Sequence, residues 1–118
     1  MSAVAKVDLT IIQGATFRHK LTWKGPDKRL RNLTGYTAKM HIRSAASSAQ
    51  VLQELTTANA KITLGGPAGT IDLHLTAAET GSYAWTEGVY DLELSAPSGD
   101  VYRLVEGSVV VSPEVTRG

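Results

Sequence analysis

The stretch Tyr36-Thr37-Ala38-Lys39-Met40-His41-Ile42-Arg43 decides how this chain is read. Tyr36, Ala38, Met40 and Ile42 fall on one side of an extended backbone, and Thr37, Lys39, His41 and Arg43 fall on the other. That period of two belongs to a β-strand with one face buried and one face wet. The same alternation recurs in both directions. Towards the start, Val7, Leu9 and Ile11 alternate with Asp8 and Thr10, and Phe17, His19, Leu21 and Trp23 share a face opposite Thr16, Arg18, Lys20 and Thr22. Towards the end, residues 51–57 and 61–64 form short strands around a turn at residues 58–60. Ile71, Leu73 and Leu75 then alternate with Asp72 and His74, Tyr90, Leu92 and Leu94 make a further strand, and residues 101–111 run out with a kink expected at Gly107.

Turn chemistry punctuates these segments. Gln13-Gly14 breaks the first strand; a polar loop over residues 24–35 holds Gly25-Pro26-Asp27 and ends in Asn32-Leu33-Thr34-Gly35. Small residues at 44–50 read as a mobile link, Gly65 to Gly69 as a turn, and Pro97-Ser98-Gly99-Asp100 as a hairpin signature. One helical signal stands out, Thr76 with Glu79 three residues on and Ala77-Ala78 between, a capping box long enough for about one turn. Seven to nine short strands with turns at short, even spacing predict an all-β fold, an antiparallel β-sandwich of one domain over residues 1–118, with an isolated barrel as the alternative.

Composition agrees. A chain of 118 residues, 42% hydrophobic and 19% charged, suits one domain, and a chain of that size buries roughly two thirds of its unfolded surface without needing disulfides or metals. Cysteine is absent, which removes thiolate zinc, iron–sulfur clusters, thiol nucleophiles and disulfide frameworks together. The opening MSAVAKVDLT has neither the basic-then-apolar run of a secretion signal nor a membrane anchor, so a soluble protein made inside the cell, with no membrane partner, is expected.

The net charge of +1 conceals a split. Residues 1–61 carry ten Lys/Arg against Asp8, Asp27 and Glu54, a local +7, while residues 62–118 carry Arg103 and Arg117 against eight acids, a local −6. Three readings stay open: nucleic-acid contact through the basic half, head-to-tail self-association of opposite charges, or interleaving of the halves in one sandwich with cancellation. With seven aromatic residues in all and none within the basic run 24–31, nucleic acid is not the expected partner.

Catalytic motifs are missing. The glycine-rich segment 65–70 lacks a Lys beside its Thr and leads into a strand, unlike a phosphate-binding loop, and no Ser sits in a Gly-x-Ser-x-Gly elbow. His19 lies on an apolar face and reads as a core, edge or interface residue; His41 and His74 lie on polar faces. Asp72 with His74 and Asp91 with Glu93 would converge on a cation only if their strands paired, and such alternation also fits any solvated sheet face, so no metal or cofactor is expected. Asn32-Leu33-Thr34 matches a glycosylation acceptor and reads as a turn. Tyr83 and Trp85, in a loop between Gly81 and Gly88, form either a lid over the sandwich end or an exposed anchor.

The order of segments carries a resemblance. Gly14 to Phe17, Asn32 to Ala38 followed by Met40 to Arg43, Glu54 to Asn59, Gly88 to Leu94, and the ending Glu106 to Arg117 together resemble a group of small tailed-phage and prophage structural proteins. They also resemble the N-terminal domain of phage upper baseplate proteins, an immunoglobulin-like β-sandwich that attaches receptor-binding parts to the virion. The resemblance implies an immunoglobulin-like fold and a non-enzymatic virion component of the tail, baseplate, neck or collar, or fibre anchor. Its expected partners are other virion proteins, with a homo-oligomer in the particle assembled in the host cytoplasm. Candidate interface residues are Lys24, Lys28, Arg29 and Arg31 in the basic loop, Tyr83 and Trp85, and Val109, Val111 and Arg117 in a terminal run apolar enough to extend another subunit's sheet. The alternative is a carbohydrate- or host-surface-binding module, which needs exposed, coplanar aromatics.

Overall fold

The computed structural model of the protein describes residues 5–116. Nine strands follow in chain order: β1 (Ala5–Lys6), β2 (Leu9–Ile12), β3 (Phe17–Thr22), β4 (Thr37–Arg43), β5 (Gln53–Thr56), β6 (Ile62–Leu64), β7 (Thr70–Leu75), β8 (Glu87–Ser95) and β9 (Val101–Ser112). One turn of α-helix, α1 (Ala77–Gly81), joins β7 to β8, and a short 3-10 turn precedes β7.

The strands make two sheets. The larger has the order β1-β9-β8-β4-β5, with β2 continuing beside β9; the smaller has the order β3-β7-β6. The deciding strand β4 sits inside the larger sheet, with Ala38, Met40 and Ile42 buried beside Leu94, Leu92 and Tyr90 of β8. Leu9, Ile11, Leu55, Ile62, Ile71, Leu73, Leu75, Val105 and Val109 join them in a single core fed by both sheets. Burial of alternate residues along every long strand is what sets strand register, since a slip of one residue would turn the apolar set to water.

Two expectations need correction, the wholly antiparallel sandwich and the kink at Gly107. β1 and β2 run parallel to β9, so the larger sheet is mixed and not wholly antiparallel. β5 and β6 flank one turn but belong to different sheets, pairing with β4 and β7. The irregularity of β9 is at Leu104: Leu92 pairs with Val105 but Glu93 with Arg103, so Leu104 is the extra residue of a bulge. Gly107 stays in register opposite Tyr90, and its need is for space, because a Cβ there would strike the carbonyl of Val7 where the chain arches between β1 and β2. Tyr90 closes that arch by donating its hydroxyl to the same Val7 carbonyl at 2.7 Å.

Candidate docking surfaces

The basic loop is a built hairpin. Lys24 bridges Leu30, Gly25 N–H donates to Arg29 O at 2.9 Å, and Lys28 N–H donates to Gly25 O at 2.9 Å. Pro26 presets the turn, Asp27 Oδ1 accepts from Arg29 N–H at 3.0 Å, and Lys28 takes the left-handed conformation with φ 65°. Lys24, Lys28, Arg29 and Arg31 are all exposed, with Leu30 50% exposed between them.

The base of this hairpin is apolar, which the sequence did not disclose. Trp23 packs edge-on to Tyr36 at 6.3 Å and tilted against Tyr102 at 5.3 Å, and the Arg31 guanidinium lies 5.3 Å over its ring. Leu33, in what read as a plain turn, is buried, and its N–H donates to Gly66 O at 2.8 Å. Gly69 brings the smaller sheet's turn against this base, since a Cβ there would stand 2.9 Å from Arg31 O and 3.0 Å from Trp23 O. The only signal in the sequence was that Trp23 and Tyr36 end and begin apolar faces on either side of the loop. Val101 and Tyr102, 59% and 39% exposed, start β9 at this same end.

At the opposite end the aromatic pair is a lid. Tyr83 is buried and stacks with half-buried Trp85 at 4.8 Å. Its hydroxyl donates to Gln53 Oε1 at 2.6 Å and its carbonyl accepts from Gln13 Nε2 at 3.0 Å. Burial, with the Glu79 charge nearby, pushes the Tyr83 phenol well above its usual range. The capping box holds α1 beneath: Thr76 Oγ1 accepts from Glu79 N–H at 3.2 Å, and Glu79 Oε1 accepts from Thr76 N–H at 3.0 Å. Burial opposes ionisation of Glu79, but the Lys61 ammonium at 2.6 Å and the Thr76 bonds outweigh it and lower the pKa. The Trp85 Nε1 is buried with no hydrogen-bond partner.

The terminal candidates need correction. Val109 and Val111 are core residues, and over residues 109–112 β9 is paired with β8 on one side and with β2 on the other, so this stretch offers no free edge to a second subunit. Arg117 lies outside the described residues. The 44–50 link is tied down through Arg43, whose guanidinium donates to Ser48 O at 2.8 Å and Ala49 O at 3.0 Å.

The charged halves interleave. Lys20 on β3 stands opposite Asp72 on β7, and Lys39 on β4 opposite Glu93 on β8. Arg103 lies 3.5 Å from Asp91 and 3.6 Å from Glu106, which Lys6 also approaches at 3.7 Å. The two carboxylate-bearing pairs considered for a cation sit on different sheets, and among the described residues no group of three His, Asp or Glu could hold a metal ion. The outward face of the larger sheet is a broad open groove of about 930 Å³ with both charge signs along its walls.

No helix among the described residues is long and apolar enough to cross a membrane. No family model matches the chain, and no curated protein matches its sequence.

Proposed function

We propose that the chain is a non-enzymatic structural protein of a tailed-phage virion, a tail, baseplate, neck or collar, or fibre-anchoring component that acts by docking onto other virion proteins. The observation that carries the docking role is the hairpin at residues 24–31. It is held by backbone bonds, presents exposed Lys24, Lys28, Arg29 and Arg31 against one acid, and stands at the end where Leu30, Val101 and Tyr102 are exposed. A rigid cationic tip beside apolar anchors fits an acidic, partly apolar protein surface, and because its backbone is already ordered it loses little entropy on docking.

The assignment to a virion rests on the segment order described above. An immunoglobulin-like architecture is supported by the strand order β9-β8-β4-β5 facing β3-β7-β6, which has the arrangement of a variable-type sandwich with its first strands carried beside the last. Carbohydrate binding is less well supported, since Trp23 stands at 84° to Tyr36 and 59° to Tyr102 and forms no flat platform with them.

Immuno-electron microscopy of virions from cells expressing the tagged chain tests this role. Labelling at one fixed position on the particle is expected, and the triple variant Lys24→Glu, Lys28→Glu, Arg29→Glu should lose it while melting at the wild-type temperature. Unlabelled particles, or full labelling by the triple variant, would refute it.

A further inference from the structure

We infer that the free edge of β3 is a docking site for an extended segment of another protein, one that alternates acidic with apolar residues and joins the smaller sheet as a fourth strand. The contact is made through the β3 backbone and not through the hairpin tip, so it does not rest on the virion role.

The ladder between β3 and β7 shows which backbone groups are free. Trp23 N–H donates to Gly69 O at 2.8 Å, in register with the pairs Leu21–Ile71, His19–Leu73 and Phe17–Leu75. In an antiparallel pair, alternate residues turn both N–H and C=O towards the partner strand. Phe17, His19 and Leu21 therefore face β7, and Arg18, Lys20 and Thr22 turn three donors and three acceptors away from it. Because β1 and β2 lie beside β9, no strand covers that side, and among the described residues no hydrogen bond takes up these six groups.

The other edges are closed or short. On β5, Thr56 N–H donates to Asn59 Oδ1 at 2.9 Å and Glu54 O accepts from Asn59 Nδ2 at 3.1 Å, so one side chain occupies the place of a further strand. β6 has three residues. β1 and β2 are two short pieces separated by the arch at Val7, and Ile12 O already accepts from Ala15 N–H at 3.1 Å. β3 keeps six residues with an open backbone.

Side chains define the occupant. Arg18 and Lys20 are exposed and form no ion pair among the described residues; Arg18 stands opposite His74, and Lys20 stands opposite Asp72 without contacting it. A strand laid alongside sets its own outward residues about 5 Å from these cations, where acids are favoured and cations are not. On the inward side His19 and Leu21 are half-buried, whereas their β7 partners Leu73 and Ile71 are fully buried. Apolar residues of the added strand cover that open seam, the usual division of labour when a peptide extends a sheet. A second copy supplies no such strand. Two β3 edges paired about their middle set Lys20 against Lys20, or Arg18 against Lys20, and β1, β2 and β6 carry no acid.

Titrating the isotope-labelled full chain with a blocked synthetic peptide of alternating Glu and Val, read by amide shifts and amide exchange, tests this. Saturable binding is expected, with exchange slowed at Arg18, Lys20 and Thr22 and unchanged at His19 and Leu21, which β7 already holds. A Lys–Val peptide should bind about tenfold more weakly, and Arg18→Glu should weaken the Glu–Val peptide about fivefold. Lys20→Pro should weaken it about tenfold or more while melting near the wild-type temperature, because the Lys20 N–H points away from β7 and its loss breaks no ladder bond. No binding, equal binding of both peptides, or protection that misses the three amides would overturn the inference; that pattern needs no variant and decides the matter whatever Lys20→Pro does to folding. Binding abolished by the hairpin triple variant but kept by a folded Lys20→Pro would overturn it too, in favour of a contact at the tip. Loss of virion labelling with peptide binding intact bears on the virion role alone.

Discussion

Replacing Thr80 by valine should cost the fold about 2–3 kcal/mol, although the side chain keeps its shape. Thr80 is completely buried, the polar side chain so placed among the described residues. Its hydroxyl donates to Ala15 O at 2.8 Å, approaches Ala77 O at 3.2 Å, and accepts from Gly14 N–H at 3.1 Å. Those bonds fasten α1 to the turn between β2 and β3, where Gly14 takes φ 83°. Two neutral bonds contribute about 1 kcal/mol each, and a backbone donor left without a partner adds to the loss. For 118 residues the unfolding entropy is about 0.25 kcal/mol/K, so each kcal/mol moves the melting temperature about 4 °C and Thr80→Val should lower it by roughly 8–12 °C. Thr80→Ser keeps the hydroxyl and loses one methyl, about 0.8 kcal/mol. Scanning calorimetry of both variants at neutral pH reads the difference, and tryptophan emission reports whether the Tyr83–Trp85 lid above α1 loosens. A valine variant melting within 2 °C of wild type, or a serine variant as unstable as the valine one, would refute the reasoning.

Other perturbations separate the remaining forces. Leu33→Ala removes a buried anchor of the hairpin base and should cost about 2–4 kcal/mol by urea denaturation, with the m-value unchanged. Lys28→Gly relieves a left-handed lysine and should raise stability by about 0.5 kcal/mol, the gain being partly offset by the freer unfolded chain. Burial, then the Asp8 charge, pushes the Tyr90 phenol up to about 12 from 10.0. Its contribution is therefore whole below pH 10 and is lost as pH rises towards 12, where the unfolded chain ionises first. Melting temperatures across that window should fall less steeply in Tyr90→Phe. Glu79, lowered below its usual 4.5, works in the opposite sense: its stabilisation is present above that value and lost as acid protonates the folded carboxylate, so Glu79→Gln should flatten the acid limb of the same profile.

Strands, helix and turns were legible because each rests on neighbours in sequence. The alternation of β4, the capping box of α1 and the proline–glycine turn before β9 are local signals, and the structure contains all three. What was not legible is what depends on distant partners. The parallel course of β1 and β2 beside β9 joins residues about 100 apart, and nothing in the apolar pattern of Leu9 and Ile11 states which neighbour they take. Val109 and Val111 read as a sticky terminus because their alternation gives no sign that both flanks are already paired. Leu33 was hidden among turn formers, since a turn residue reaches the core only when the loop folds back on a sheet. The hairpin's aromatic base was missed for the same reason: Trp23 and Tyr102 meet at 5.3 Å across most of the chain.

The charge split shows the same limit at the scale of the whole molecule. By sequence, the cations lie in the first half and the acids in the second, which suggests a molecule with two opposed faces. The fold cancels that contrast wherever an early strand lies beside a late one, as β3 does beside β7 and β4 beside β8. Cancellation needs a strand opposite, and the loop at residues 24–31 has none: its bridge is between Lys24 and Leu30, within itself. The excess of positive charge therefore survives there. Surface pairs contribute little to stability, about 0–1 kcal/mol each, so salt should barely move the melting temperature. Beyond the contact of Arg29 with Asp27 at 3.9 Å, the hairpin keeps an excess of cations, and any acidic surface it meets should bind with a strong dependence on salt. Where net charge is concerned, strand order decides what the outside of this protein presents.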